Sequence, residues 1–395
     1  MIGEVVKGRY EVLSTLGSGG MGAVFVALDL HKGRKKVVLK TPLVSLGTER
    51  QPTTDLQRHL NRFAREAAFL CRIRHPNVAR GYDHGHHGKV PYLVMDWVNG
   101  YGLDRFLEDN PPLPTEAVAA VVAQIAEALA ATHAEDVVHR DLKPGNVMLS
   151  HAGVVYLIDF GLAKPMDPDV TKLTGTEHSP GTEEYMTPEQ FGSGDDICPQ
   201  TDLYALGFMT YIMLTGVPPF AGSKTGISWK EHHLHTRPAR PDRKGDPIPD
   251  ALADLVLHLL EKRVSDRPAD AREVVDRLEP FLPEPGSAAP FPSLKPDPTR
   301  VYRHPGETRP PDAPPVAPDP VRSAVTVRRS GPALSRREIP ALVEEALAAA
   351  SKDPTGGRLR LERLLKQASG KFGAFDVAVE PIRQALGDLD NRRVD

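Results

Sequence analysis

The chain has 395 residues, 40% of them hydrophobic, with 49 Lys and Arg against 52 Asp and Glu. This length and apolar content allow two or three domains with cores of their own, and a formal net charge of −3 excludes a general electrostatic attraction to nucleic acid or anionic membrane. Two cysteines, Cys71 and Cys198, argue against a disulfide framework, exclude a cysteine metal cage and fit a reducing cytoplasm.

Residues Met1 to Tyr10 lack the apolar core of a secretory leader. The most apolar run, Ala117 to Ala131, is interrupted by Gln124 and Glu127 and falls short of a continuous membrane span. The expectation is a cytoplasmic protein with no transmembrane segment and no nucleic-acid partner. From Tyr10 to about Asp96, short β-rich runs punctuated by glycine, with one helical interval at Leu56 to Ile73, predict a small, mostly β lobe. Inside it, Gly17-Ser18-Gly19-Gly20-Met21-Gly22-Ala23-Val24 forms G-x-G-x-x-G-x-V between the strand-like runs Tyr10 to Leu16 and Ala23 to Leu28. Glycines let a backbone close over phosphates. Alone, the motif is equally an ordinary hairpin turn, and the strand that follows it disfavours a Rossmann turn. Lys40 ends the apolar run Val37-Val38-Leu39, where a strand would hold its ammonium near phosphates. Glu66, on the helical stretch Phe63 to Leu70 beside Phe63, Ala67 and Leu70, is the carboxylate expected to hold Lys40, with Glu49 as its rival.

From about Gly102 to Leu282 the apolar residues recur at helical spacing, as in Val118, Val121, Val122, Ile125, Leu129 and Leu252, Leu255, Val256, Leu259, Leu260, and predict a mostly α lobe. Within it lies His139-Arg140-Asp141-Leu142-Lys143-Pro144-Gly145-Asn146, followed thirteen residues later by Asp159-Phe160-Gly161. Strand-like segments flank both strings. Asp141 is a candidate base for a substrate hydroxyl, and Lys143 can reach a transferred phosphoryl group. Asn146 and Asp159 offer oxygens to a hard cation such as magnesium. Singly, each Asp or Asn reads as a turn or cap residue. Together, in this order, they are the equipment that phosphoryl transfer from ATP requires.

With Tyr92-Leu93-Val94-Met95-Asp96-Trp97-Val98, Gly181-Thr182-Glu183-Glu184-Tyr185-Met186-Thr187-Pro188-Glu189-Gln190 and Asp202-Leu203-Tyr204-Ala205-Leu206-Gly207, these strings make residues 10 to about 282 resemble a eukaryotic-type serine/threonine protein kinase of the bacterial style. The resemblance implies an α+β, bilobal protein-kinase fold, with a β-rich N-lobe over about 10–96 and an α-rich C-lobe over about 97–282. It implies ATP and magnesium, with manganese as an alternative, and protein substrates. Nucleotide contacts are implied for Gly17, Gly19, Gly22, Val24, Val38, Lys40, Met95, Asp96, Val98 and Met148, and a peptide platform at Gly181 to Glu189. Lys143 two residues after Asp141, with Thr182 placed to hydrogen-bond that pair, implies Ser/Thr specificity. Arg267 is implied to pair with Glu189 beneath the platform, and Asp202 to be structural. Arg140, directly before the catalytic Asp, needs a counter-charge, which the resemblance implies an autophosphorylated activation loop provides. Thr171, Thr174, Thr176 and Ser179 lie in that loop, with Thr174 and Thr176 favoured; the plainer alternative is solvated hydroxyls. Three positions depart from the family pattern: Val38 and Thr187 replace alanines, and Gly81 stands where a bulky apolar residue completes a stack with Leu70, His139 and Phe160. A pseudokinase scaffold and a small-molecule kinase of related fold are the competing readings.

His84, His86 and His87, and again His232, His233 and His235, raise the idea of metal sites. Neither cluster has carboxylate or cysteine partners at ligand spacing, so they are read as a solvated hairpin and an exposed helix face. Fifteen prolines between Pro283 and Pro340, with few large apolar residues, predict that residues 283–335 are an extended linker. Pro310 to Pro315 reads there as a spacer, with a polyproline II ligand as the lesser alternative. Residues 336–395 are expected as a small helical module. Ile339, Leu342, Val343, Ala346, Leu347 and Ala350 would form one helix face, and Leu359, Leu361, Leu364, Leu365 and Ala368 a second. Packing on the catalytic lobe, partner docking and self-association are all open to such a module.

Overall fold

A computed structural model describes residues 1–19, 22–42, 60–61, 63–64, 67–88, 90–160, 183–192, 197–220, 227–243 and 245–307, and beyond these the helical positions 339, 342–343, 346–347, 360–361, 364–365, 382 and 385–386. The chain divides into two compact units, residues 1–315 and 316–395.

The first unit begins with strands β1 (Val5–Val6), β2 (Tyr10–Gly19), β3 (Gly22–Asp29), β4 (Lys35–Thr41), β5 (Gly81–His87) and β6 (Val90–Asp96). They form one antiparallel sheet in the order β1-β2-β3-β4-β6-β5. Because side chains alternate along a strand, Tyr10, Val12, Phe25, Ala27, Val37, Leu39, Tyr92 and Val94 build a core on one face. Their neighbours Val38, Lys40, Leu93 and Met95 face the other way. Against that second face the helical residues between 60 and 70 pack Phe63, Ala67 and Leu70, which join Leu93 and Met95 in the main core. That helical stretch closes in a turn at Cys71, whose amide bonds the Ala67 carbonyl at 3.2 Å. A Cβ on Gly81 would come within 2.9 Å of the Cys71 amide nitrogen and 3.0 Å of its sulfur. Gly81 therefore leaves no gap beside Leu70; the Cys71 turn occupies the space.

The helical half comprises β7 (Gly100–Gly102), α1 (Leu103–Asp109), α2 (Thr115–His133), β8 (Val147–Ser150), β9 (Val155–Leu157), α3 (Pro199–Thr215), α4 (Trp229–His235), α5 (Asp250–Leu259) and α6 (Ala271–Leu278). Helices α2 and α3 are apolar around most of their circumference, which suits the centre of a lobe and not its surface. By length and composition alone α2 passes as a membrane span, yet 72% of its apolar window is buried in the protein. The short sheet β7-β8-β9 lies next to α2 and carries the loops that hold the polar chemistry.

Residues 283–307 differ from the expected extended linker. Leu294 is buried in the main core, and Thr299 and Arg303 are buried with it. Gln124 of α2 donates to the Pro298 carbonyl at 3.4 Å, and Asp297 accepts from the Thr299 amide at 2.9 Å, the Thr299 hydroxyl and the Arg303 guanidinium. Gly153, at φ +85°, lets this strap approach; a Cβ there would stand 2.2 Å from the Asp297 carbonyl oxygen. Proline density argues against regular helix or sheet but not against packing, and Phe291, Leu294 and Tyr302 supply the apolar anchors. The proline-rich stretch from residue 308, including Pro310 to Pro315, lies outside the described residues.

In the second unit, Ile339, Val343, Ala346, Leu361, Leu364, Ile382 and Ala385 form a separate core, with Leu342, Leu347, Leu365 and Leu386 against it. The i, i+4, i+7 spacing of its first three members is that of one helix face.

Candidate active site

The roof is the β2–β3 hairpin, paired Gly17 to Val24 and Gly19 to Gly22. Gly22 sits at φ +144°, and a Cβ on it would lie 2.0 Å from the Thr41 carbonyl, so only glycine fits. Val24 is directly opposite Lys40, and Val38 is opposite Met95. Cross-strand partners share a face, so Val24, Val38, Lys40 and Met95 line one surface beneath the hairpin. Lys40 is buried at 8% exposure, with its Nζ 2.9 Å from Asp159 Oδ1. The expected carboxylate partner Glu66, and its rival Glu49, lie outside the described residues.

Met95 ends the run that leads to the lobe connection. The Asp96 carboxylate accepts from the Arg80 amide at 3.1 Å and from the Tyr82 hydroxyl, while its own amide bonds the Arg80 carbonyl at 3.0 Å. The Asp96 side chain thus fastens the connection to the start of β5 and the segment before it. Val98 follows in the segment between β6 and β7, and half-buried Met148 sits on β8 between Gly102 and Tyr156.

On the loop after α2, Asp141 is held from two sides. The Asn146 amide donates to Asp141 Oδ2 at 2.9 Å and to its carbonyl at 2.6 Å, and Lys143 Nζ stands 3.4 Å from the same Oδ2. Asn146 belongs to the short 3-10 turn Pro144–Asn146, and its carbonyl accepts from the Ile158 amide at 3.0 Å. That bond fixes the loop beside Asp159. Two residues here, Arg140 at φ +66° and Asp159 at φ +53°, adopt the left-handed region, which costs about 1–2 kcal/mol for a residue with a Cβ. Contacts around Arg140 offset its strain. Asp202 of α3 accepts from the His139 amide at 2.7 Å, the Arg140 amide at 2.9 Å and His133 Nε2 at 2.8 Å. Gln190 donates to the Arg140 carbonyl at 2.7 Å.

His139 is fully buried and burial pushes its pKa down, so the ring is neutral. Its Nε2 lies 3.0 Å from the Ile158 carbonyl, an acceptor, which places the proton on that nitrogen. The ring packs 4.6 Å from Phe160, and Leu70 and Phe160 belong to the same core.

Beneath the segment Glu183 to Phe191, Arg267 and Glu189 form a two-pronged pair, each prong 2.9 Å, with side chains 0% and 5% exposed. Burial alone would raise the Glu189 carboxyl; the Arg267 hydrogen bonds and charge outweigh it and hold the carboxyl below its ordinary range. Gly161, Thr171, Thr174, Thr176, Ser179, Gly181 and Thr182 fall outside the described residues, as does the link they were expected to make with Asp141, Lys143 and Arg140.

Histidines 232 and 233 are corrected from the exposed face expected of them: both are buried, His233 completely. Phe208, Phe220 and Trp229 enclose them. Only Trp229, three and four residues earlier on α4, carried a local signal. His84 and His86 are exposed on β5, and no cluster of three or more metal-binding His, Cys, Asp or Glu occurs among the described residues. Sequence reasoning also missed Gln190, which reaches Arg140 across 50 positions, and His133, which braces Asp202 across 69.

Comparison with known proteins agrees with this geometry. The family model described as "Protein kinase domain" matches residues 10–278. Serine/threonine-protein kinase PknB of Mycobacterium leprae is 35% identical over 272 residues, covering 67% of this chain and 42% of that protein. Serine/threonine-protein kinase PrkC of Bacillus subtilis is 31% identical over 262 residues, 66% of this chain and 39% of that protein. Serine/threonine-protein kinase PkaA of Streptomyces coelicolor is 36% identical over 270 residues, 67% of this chain and 48% of that protein. The chain thus spans less than half the length of these relatives. With a family match over more than half the chain, a bilobal fold and the loop residues gathered in one cleft, the chain belongs to the protein kinase domain family, in its bacterial serine/threonine branch.

Proposed function

We propose that this protein transfers the γ-phosphate of ATP to serine and threonine hydroxyls of protein substrates. The observation that carries the reading is the meeting of Lys40, from the β lobe, with Asp159, from the helical lobe, at 2.9 Å, on the side of the loop where Asn146 and Lys143 hold Asp141. Asp141 accepts or orients the proton of the attacking hydroxyl. Lys143, 3.4 Å from that carboxylate, is within reach of the moving phosphoryl group and stabilises its charge. Lys40 binds the remaining phosphates, and Gly17, Gly19 and Gly22 let the roof close over them. Val24, Val38, Met95 and Met148 supply an apolar adenine pocket at the lobe connection, Asp96 to Val98.

The donor chemistry fits magnesium, with manganese as the alternative. Asn146 and Asp159 contribute oxygen ligands, and the Ile158–Asn146 backbone bond keeps the two residues adjacent. Bound there, the ion would neutralise charge on the transferring phosphates. Thr182 would favour Ser/Thr acceptors, and autophosphorylation at Thr174 and Thr176 would supply the counter-charge for Arg140. Residues 336–395, with a small apolar core of their own, are suited to self-association or partner docking. The two free cysteines fit a cytoplasmic location. A scaffold without chemistry has no use for the complete set Lys40, Asp141, Asn146 and Asp159.

The test is incubation of the purified full chain with labelled ATP and magnesium beside Lys40→Met and Asp141→Asn, with phosphosites mapped. Label on serine or threonine in the wild type and none in either variant is expected. Nucleotide binding without any transfer would refute the reading.

A further inference from the structure

His233 of α4 has both ring nitrogens engaged while the ring itself is fully buried. Its Nε2 lies 2.9 Å from the Glu184 carbonyl, and its Nδ1 lies 3.0 Å from the Tyr204 hydroxyl of α3. A carbonyl only accepts, so Nε2 must carry the proton and Nδ1 must accept from Tyr204. Tyr204 is itself fixed, because the Lys262 ammonium stands 3.3 Å from its hydroxyl and is held by the His232 carbonyl at 3.2 Å. The ring stands among Phe191 at 6.0 Å, Phe208 at 5.2 Å, Trp229 at 6.1 Å and the edge-on Phe220 at 5.5 Å. In such a box the imidazole has one orientation and one tautomer. It points a single donor at one backbone carbonyl.

That carbonyl belongs to the middle residue of the short 3-10 turn Glu183–Tyr185. The next ring along, Tyr185, packs edge-on against Phe208 at 5.4 Å. The segment Glu183 to Phe191 is therefore anchored at both ends. At its far end Glu189 is clamped by Arg267. At its near end the anchor is the His233–Glu184 bond. The near end adjoins Thr182 in the sequence, whereas Glu189 at the far end is buried with Arg267.

We propose that His233 is a positioning residue for the protein substrate: by holding the Glu184 carbonyl it sets the near edge of the peptide platform, and so governs peptide affinity and not nucleotide affinity. This rests on the reading of Glu183 to Glu189 as that platform. The role comes from tertiary placement, since α4 and the platform are 49 positions apart at this contact.

The experiment measures Michaelis constants for peptide and for ATP separately in the full chain, with melting temperature and amide hydrogen exchange over residues 183–191. His233→Phe keeps an aromatic ring and removes both hydrogen bonds; it should raise the peptide KM about tenfold, the effect of one lost buried hydrogen bond, and leave the ATP KM within about twofold. Amides 183–187 should exchange faster. His233→Gln returns an N–H near the position of Nε2 and should recover the peptide KM to within about threefold. An unchanged peptide KM in folded His233→Phe overturns the proposal, as does a parallel rise in both Michaelis constants. If His233→Phe does not fold, the same readouts are taken on Tyr204→Phe, which removes the hydroxyl that donates to His233 Nδ1 and accepts from Lys262. Should the wild type transfer no phosphate, the functional reading fails by itself, and exchange at 183–187 still decides whether His233 holds the turn.

Discussion

Replacing Arg267 by alanine should destabilise the catalytic domain without touching nucleotide contacts. The guanidinium is 0% exposed and spends its donors on both Glu189 oxygens, on the Glu261 carbonyl at 2.8 Å, the Gln200 carbonyl at 2.9 Å and the Lys262 carbonyl at 3.1 Å. It also lies over the Tyr204 ring at 4.8 Å. Truncation leaves a carboxylate that is 5% exposed with its charge unopposed, and breaking such a pair from one side costs about 3–5 kcal/mol. In a domain of this size that corresponds to a fall in melting temperature of roughly 10 °C. The pH dependence has a defined sign. In the wild type the Glu189 carboxyl is held below its ordinary range, so its contribution is present above the unfolded value and lost as pH falls through the lowered folded one. In Arg267→Ala the cation is gone and burial raises the carboxyl, so the folded variant takes up a proton that the wild type refuses. The gap between the two melting temperatures should therefore narrow from pH 7.5 to pH 5. Arg267→Lys, which keeps charge but loses the fork, should fall between them. Thermal melts at both pH values test this. A melting temperature within about 2 °C of wild type at pH 7.5, or a gap that does not change with pH, would refute the argument.

The strap and the buried histidines yield two more expectations. Leu294→Ala should cost about 2–4 kcal/mol in denaturant unfolding, as a truncated core leucine does, because Leu294 is buried in the main core; a change below about 0.5 kcal/mol would return residues 283–307 to the status of a spacer. Stability should fall as pH drops from 7 towards 4. Burial lowers His233 and His75 to about 4 and His139 in the same direction, so the unfolded chain binds protons that the folded one does not. For His233 alone the loss across that window is about 3 kcal/mol. Glu184, raised by burial, opposes the trend with a single carboxyl. Denaturation midpoints that stay flat from pH 7 to 5 would contradict it.

Much of the site was legible in the chain because its chemistry is local. Asp141, Lys143 and Asn146 lie within six residues, and their contacts, 3.4 and 2.9 Å, follow from one loop and one 3-10 turn. The two-residue period of β4 and β6 already separated Val38, Lys40 and Met95 from Val37, Leu39 and Val94. The pairing of Arg267 with Glu189, 78 positions apart, was legible only through resemblance to a family.

Contacts with no local pattern were not legible. Polarity alone placed His232 and His233 on a surface, because the rings that enclose them come from α3, from Phe220 in the stretch beyond it and from the platform's end at Phe191. Proline count made residues 283–307 a tether, because composition reports which backbone hydrogen bonds are forbidden and not which side chains find a core. Spacing along the chain determined the lobes, the glycine-rich hairpin, the Asp141 and Asp159 loops and the residue types they carry, since helix and strand periods and turn chemistry are set within a few residues. Tertiary structure alone decided that Asp202, braced by His133, and Gln190 would hold the left-handed Arg140, and that Gly153 would admit the strap: burial and hydrogen-bond satisfaction are settled by neighbours in space.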